Sequence, residues 1–258
     1  GLITLVTLAM SADDFQQWGW RIPFLLSLVL VIFGLWLRRG VGETPAFLQL
    51  EASKDVTQSP IREVFTQHMR PLLIAGGSRI GSDVLYALVV VFTLTYVTTV
   101  LNLPRPLALG ATMLGAIGNA VAVPLFGALS DRFGRRPVYI GGALAAIAWA
   151  FAFFVLLDSS QPVLICMAVV IGLLIHAAMY GPQAAFITEQ FPTRVRYAGS
   201  SLAYTLAGII GGGFAPLIIT SLFKSYDSTL AISAYVALAL LITLWAVWAA
   251  RETAHKPL

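Results

Sequence analysis

Gly127-Ala-Leu-Ser-Asp131-Arg132-Phe-Gly134-Arg135-Arg136-Pro137 is a short, basic, glycine-punctuated turn between two apolar runs, roughly 106–129 and 137–157. A turn this charged, set between runs this apolar, is most simply a loop at a membrane face. The runs on either side are each long enough to span a bilayer, which needs about 20 apolar residues.

The whole chain shares that character. Of its 258 residues 58% are hydrophobic and only 11% charged, with a mean hydropathy of +0.84. A soluble domain carries roughly a quarter charged residues, so a water-facing shell could not hide this much apolar surface. The sequence reads as an integral membrane protein rather than a soluble all-α core. The net charge of +4 does not point to nucleic acid, because the basic residues sit in short loops between apolar runs. The single cysteine, Cys166, lies inside an apolar run, which excludes an internal disulfide. The opening residues, Gly1 to Met10, are too few to span and lack a basic leader. They read as the tail of a helix whose start is missing, and the chain as a fragment.

In chain order, a polar loop (Asp13 to Gly19) precedes a first span over 21–38. Arg21, Arg38 and Arg39 flank it, and Trp18, Trp20 and Trp36 suit the interfacial aromatic belts. Residues 39–70 are too hydrophilic to insert, and Pro60 followed by Ile61 to Phe65 suits a short surface helix. Six further spans are expected near 71–97, 106–129, 137–157, 162–187, 198–222 and 230–250. Pro71, Pro106, Pro137 and Pro162 open several of them near the first turn, where a missing N–H is harmless. Alternating the loops places twelve basic residues on one side and three on the other. That bias puts the Asp131 turn, the 39–70 segment and the C-terminus in the cytoplasm.

A faint repeat supports a duplication. Leu35-Trp36 followed by Glu43-Thr44 matches Leu244-Trp245 followed by Glu252-Thr253 at a constant offset, six spans apart. The expected domains are therefore 1–38 (end of an N-terminal bundle), 39–70 (central cytoplasmic loop), 71–250 (a six-helix bundle) and 251–258 (a cytoplasmic tail).

Gly127-x-x-x-Asp131-Arg132-x-Gly134-Arg135-Arg136 resembles the loop motif of the major facilitator superfamily, in its second-half copy. Trp18-Gly-Trp20-Arg21-Ile-Pro23-Phe, Glu43-Thr44-Pro45-x-Phe47 and Glu189-x-Phe191-Pro192-Thr193-Arg194-x-Arg196-Tyr197-x-Gly199 look like its metabolite:proton symporter branch. That branch carries proline and betaine, α-ketoglutarate, citrate or shikimate. The resemblance implies an all-α membrane fold: the second six-helix bundle plus the last one and a half helices of the first. It also implies proton-coupled symport of a small organic metabolite by alternating access, in the bacterial inner membrane. Its partners would be that metabolite, a proton, the bilayer and the missing N-terminal bundle. A facilitator or efflux protein of the same superfamily is the alternative; a membrane-embedded enzyme or receptor is a more distant one. No GxxxxGK[ST] motif, nucleophile–base pair or zinc spacing is present, so no cofactor or metal is expected and the energy source is an ion gradient.

For the turn itself, the resemblance implies a gate at the cytoplasmic face built from Gly127, Asp131, Arg132, Gly134, Arg135, Arg136, Glu189 and Arg194. Gly127 permits close helix approach, and Gly134 can take the positive φ that closes the turn. Asp131 can accept hydrogen bonds at a helix N-terminus. Glu189 is expected to pair with Arg132 or Arg135; the alternative is a set of charges that only orients the spans.

Arg79 and Asp83 are the only charges deep inside a span. A charge at mid-bilayer costs roughly 2.5–3.5 kcal/mol on insertion scales, so it is expected to face a cavity. Four residues apart, the two share a helix face with Gly76, Tyr86 and Thr93. Either they neutralise each other and pin the helix, or Arg79 binds a carboxylate while Asp83 carries or senses the proton. A second polar stripe holds Gly172, His176, Tyr180 and Gln183. Asn119 and Tyr204 are further candidates for the substrate and proton pathway, the former beside Thr112 and Gly115. The Gly208, Gly211, Gly212, Gly213 and Pro216 group suits either a bending gate or close packing.

Overall fold

The computed structural model of the chain describes residues 6, 9–40, 57 and 59–254. The Glu43–Phe47 motif, most of the opening apolar segment and the last four residues, His255 and Lys256 among them, lie outside the described residues. Contacts divide the chain into two units, 1–54 and 55–258.

The first unit holds α1 (Ala12–Gln17), a 3₁₀ turn (Gly19–Arg21) and α2 (Ile22–Gly40). The expected polar loop at Asp13–Gly19 is largely helical. Ser11 caps α1 by accepting the Asp14 N–H at 3.1 Å, and Asp13 and Asp14 sit in the first turn, where the helix dipole favours acids. Helix α2 buries none of its residues, as befits a span whose surroundings are lipid or other protein.

The second unit is a six-helix bundle with a short amphipathic helix, α3 (Pro60–Gln67), at its start. The spans are α4 (Met69–Val100), α5 (Arg105–Phe133), α6 (Arg135–Asp158), α7 (Pro162–Glu189), α8 (Thr193–Tyr226) and α9 (Thr229–Ala249). Among the described residues they make, with α2, seven helices long and apolar enough to cross a membrane, and no strand occurs. The fold is all-α and multi-pass, with every span where the hydropathy placed it.

Two close approaches tie the bundle together. A Cβ on Gly81 of α4 would lie 2.8 Å from the Leu240 Cα and 2.9 Å from the Ala239 carbonyl oxygen of α9. Thr243 rivets the same contact, accepting the Gly81 N–H at 2.8 Å and donating to the Gly77 carbonyl at 2.9 Å. A Cβ on Gly181 of α7 would meet the Val123 carbonyl oxygen and the Gly127 nitrogen of α5 at 2.7 and 2.8 Å. Apolar side chains gain little by leaving lipid for protein, so backbone proximity and buried hydrogen bonds hold such helices together.

Helices α4 and α8 are not regular throughout. Ala87–Phe92 and Tyr96–Val100 of α4, and Gly208–Gly213 of α8, are π-helical. There the N–H of Thr93 bonds to Leu88, that of Leu101 to Tyr96, and that of Phe214 to Ile209, each five residues back. Such widened turns shift the helix faces beyond them. Thr93 shows the effect: it is fully buried rather than continuing the Arg79–Asp83–Tyr86 stripe. Around it, Phe92 and Tyr96 each pack edge to face on Phe154 and Phe223, and the Tyr96 hydroxyl donates to Asp158 Oδ1 at 2.6 Å.

Candidate functional site

Arg79 and Asp83 meet as the four-residue spacing demands, with Nε 2.9 Å from Oδ2. The pair is turned toward α8. Arg79 Nη1 donates to the Tyr204 carbonyl at 2.8 Å, and its guanidinium lies over the Tyr204 ring, 4.7 Å from the centroid. The glycines of α8 make room for this. A Cβ on Gly211 would lie 2.9 Å from the Ile80 carbonyl and 3.1 Å from Asp83 Cβ, and Gly208 sits against the guanidinium. The glycine run thus serves close packing, and it coincides with a π-turn. The ion pair is mostly but not fully enclosed, at 21% and 12% side-chain exposure, and its facing Nε and Oδ2 atoms are themselves buried. Gly76, expected on this stripe, faces an apolar groove instead, with Gly77 and Ile80.

Tyr86 continues the face by one turn and reaches a second cluster. Its ring lies 5.3 Å from that of His176, which stacks on Tyr180 at 5.2 Å. Asn119 of α5 donates through Nδ2 to the Leu173 carbonyl at 2.7 Å and reaches His176 Nδ1 at 3.2 Å. An amide nitrogen has only protons to offer, so Nδ1 accepts, and neutral His176 carries its proton on Nε2. His176 is buried, whereas Tyr86 and Tyr180 are half exposed. Gln183, one turn on, is 1% exposed and neither of its amide atoms has a partner. Gly172 leaves the stripe: it packs on Val89 and Trp149. Thr112 is occupied with the Ala108 carbonyl and Gly115 packs on Leu173, so Asn119 alone of that face joins the cluster.

The charged turn sits at one rim of the bundle. Gly134 has φ +107°, a conformation that favours glycine. Arg135 gathers the carboxylates: Nη1 contacts Asp131 and donates to Ser130 Oγ at 2.9 Å, and Nη2 reaches Glu189 Oε1 at 3.3 Å. Asp131 is 63% exposed and Glu189 12%, so the Glu189 contact is the less screened and the stronger tie. Arg132 is not in that network; it lies over the Phe133 ring. Arg194 is not there either. It holds Glu63 of α3, with Nε 2.6 Å from Oε1, which docks α3 on the start of α8. Arg136 closes the C-terminal end of α9, donating to the Val247 and Trp248 carbonyls at 3.1 and 2.6 Å.

The acid at the N-terminus of α6 is Glu252, not Asp131. Its two oxygens accept the backbone N–H groups of Arg135 at 3.0 Å and Arg136 at 2.9 Å, as well as those of Thr253 and Ala254. The first two are unsatisfied donors of a helix start, where a carboxylate is favoured. The neighbouring Thr253 hydroxyl donates to Glu189, so the C-terminal segment completes the rim. Sequence reasoning noticed Glu252-Thr253 only as a repeat; its recurrence at a span end was the available signal.

Burial works against the charge on Glu252, but the N–H donors of Arg136, Ala254, Arg135 and Thr253 outweigh it and hold the carboxyl below the ordinary glutamate range. A lowered folded-state value means stability fully present above about pH 4.3, the ordinary value, and lost as pH falls through the folded one. Glu252→Gln is expected to lower stability near neutral pH by about 1 kcal/mol, the usual cost of a lost cap. It should also remove part of the acid limb of the thermal midpoint against pH. Superimposable profiles for the two proteins would contradict the capping role.

The major facilitator superfamily profile matches residues 15–216 and 89–258. The chain belongs to the major facilitator superfamily. Among curated proteins it is 34% identical over 263 residues to an inner membrane metabolite transport protein of Escherichia coli, covering all of this chain and 60% of that one. It is 33% identical to a shikimate transporter of Escherichia coli, over 88% of this chain and 52% of that one. It is 31% identical to a proline/betaine transporter of Salmonella typhimurium, over all of this chain and 53% of that one. The chain therefore spans about half to three fifths of the length of these relatives. All are transporters of the superfamily rather than enzymes, and no solved structure matches the chain.

Proposed function

We propose that the chain is the second six-helix bundle, with the end of the first, of a proton-coupled symporter for a small organic metabolite that carries a carboxylate. The observation that carries this is the Arg79–Asp83 pair, set within the apolar span α4, not fully enclosed and flanked by half-exposed Tyr86. Shikimate, proline and betaine, named for the relatives, each carry a carboxylate, which supports the substrate class.

The coupling follows from competition. A guanidinium offers a planar fork of donors that suits a carboxylate. A substrate carboxylate that takes Arg79 deprives Asp83 of its counter-charge in a low-dielectric setting, and a proton is the cheapest replacement. Substrate and proton then bind together and leave together. The Tyr86–Asn119–His176–Tyr180 cluster and the unpartnered Gln183 amide supply neutral donors and acceptors for the rest of the metabolite. The Arg135 rim, with twelve of sixteen basic residues on its side of the membrane in the sequence, is the cytoplasmic gate of the inner membrane.

The full-length Asp83→Asn protein is expected to equilibrate substrate across proteoliposomes but not to accumulate it against a gradient when a proton gradient is imposed. Normal uphill accumulation would remove Asp83 as the proton site. Absence of any pH change on adding organic acids or betaines to the unaltered protein would sink symport itself.

A further inference from the structure

The bundle carries a cavity unrelated to the polar cluster. An apolar groove of about 890 Å³ runs along α4 between α8 and α9, walled by Leu73, Gly76, Leu206, Ile210 and Trp245 among others. Leu73, Ile210 and Trp245 are more than half exposed. At the charged rim the groove passes into a polar hollow of about 320 Å³, bounded by His68, Arg70, Gln190, Pro192 and Arg251; Arg70, Ile74 and Ala249 line both. Among the described residues no carboxylate lines the hollow. Glu63, the nearest acid to His68 at 3.7 Å, is already held by Arg194. Neither Arg70 nor Arg251 forms an ion pair with a described residue. The start of α4 forms one wall, and no side chain caps it. An uncapped helix start adds partial positive charge to that of the two guanidiniums.

We propose that groove and hollow together bind one anionic phospholipid of the leaflet that bathes the basic rim. One acyl chain lies along α4 against Leu73, Gly76 and Ile210, and the headgroup phosphate sits between Arg70 and Arg251. Acyl chains gain little by exchanging lipid neighbours for protein ones, so the groove orients the molecule and the headgroup supplies the selectivity. Two arginines without an ion-pair partner among the described residues, in a basic hollow at a bundle rim, favour a net negative headgroup over a zwitterionic one, whose cation they repel. The site stands apart from the transport reading, and its test reads lipid binding rather than uptake.

The test uses the purified full-length protein in detergent, with thermal unfolding and native mass spectrometry as readouts. Phosphatidylglycerol, phosphatidylcholine or glycerol phosphate is added at matched concentration. Phosphatidylglycerol should raise the midpoint by several degrees more than phosphatidylcholine and give a one-lipid adduct, while glycerol phosphate should do nothing. In Arg70→Gln/Arg251→Gln that advantage should vanish. Gly76→Leu should abolish the adduct with an unchanged lipid-free midpoint, since a Cβ at Gly76 meets no atom within 4 Å. Equal effects of the two lipids on the unaltered protein, or an advantage that survives both variants, would overturn the proposal. So would stabilisation by glycerol phosphate alone, which would indicate a free phosphate site. A Gly76→Leu protein with a lowered lipid-free midpoint would show that protein fills the groove, and would overturn it too.

Discussion

Arg79→Gln is expected to stop uptake by the full-length transporter and to destabilise it, while Arg79→Gln/Asp83→Asn regains most of the stability and none of the uptake. Removing one partner of an enclosed ion pair leaves a lone charge, at a cost of about 3–5 kcal/mol. Removing both leaves neutral amides that can bond to each other and to the Tyr204 carbonyl, which Arg79 now occupies at 2.8 Å. The non-additivity measures the pair directly. Arg79→Lys separates the two roles of the arginine. It keeps the charge beside Asp83 and should stay close to the parent in thermal midpoint. It loses the fork that suits a carboxylate, so KM should rise by about tenfold, the equivalent of one lost charge-assisted hydrogen bond. A pair that only pins the helix predicts otherwise: the double variant would transport normally, and Arg79→Lys would leave KM alone.

Gly81→Leu is expected to disrupt the bundle, whereas Gly76→Leu, five residues earlier on the same helix, should leave it intact. At Gly81 the new side chain would begin 2.8 Å from a backbone atom of α9 and would also press on Thr243 Oγ1, at 2.9 Å. Backbone cannot rotate aside as a side chain can, so α4 and α9 must separate. That breaks the Gly81–Thr243–Gly77 hydrogen bonds in a medium with no water to replace them. Overpacking alone costs about 1–3 kcal/mol, and the lost bonds add to it. The readout is the fraction of protein that stays monodisperse after extraction from membranes. Equal recovery of the two variants would refute the assigned α4–α9 contact.

The spans were legible because hydropathy acts along the chain: a bilayer admits each run independently of its neighbours. The Arg79–Asp83 contact was legible for a similar reason, since one helix turn fixes it. Which helix the pair faces was not. Tyr204 was a candidate in its own right, but nothing in the sequence said that its carbonyl, 125 positions away, would receive the guanidinium. The loss of Thr93 from the polar face depends on π-turns, which hydropathy does not encode. Arg194 and Glu63 illustrate a different gap. Both stood among many rim charges, and only tertiary packing chose Glu63 over the Asp131 turn as the partner. Asp131 was expected at a neighbouring helix N-terminus; that the start of α6 is held by Glu252, from the far end of the chain, no local signal in the sequence said.

The π-turns of α4 also give its length some slack. A π-turn holds one more residue than the α-helical path requires. Deleting Val90 would let the ladder close in the ordinary i→i+4 pattern, with no loss of hydrogen bonds and no new bulk. The residue removed is the one that path does not need, so everything beyond keeps its place on the helix. Tyr96 would still reach Asp158 and the Phe154 and Phe223 rings, and Arg79, Asp83 and Tyr86, on the near side of the joint, would be undisturbed. The span is therefore more tolerant of a missing residue at this joint than in its regular turns, where the same deletion rotates all that follows by about 100°.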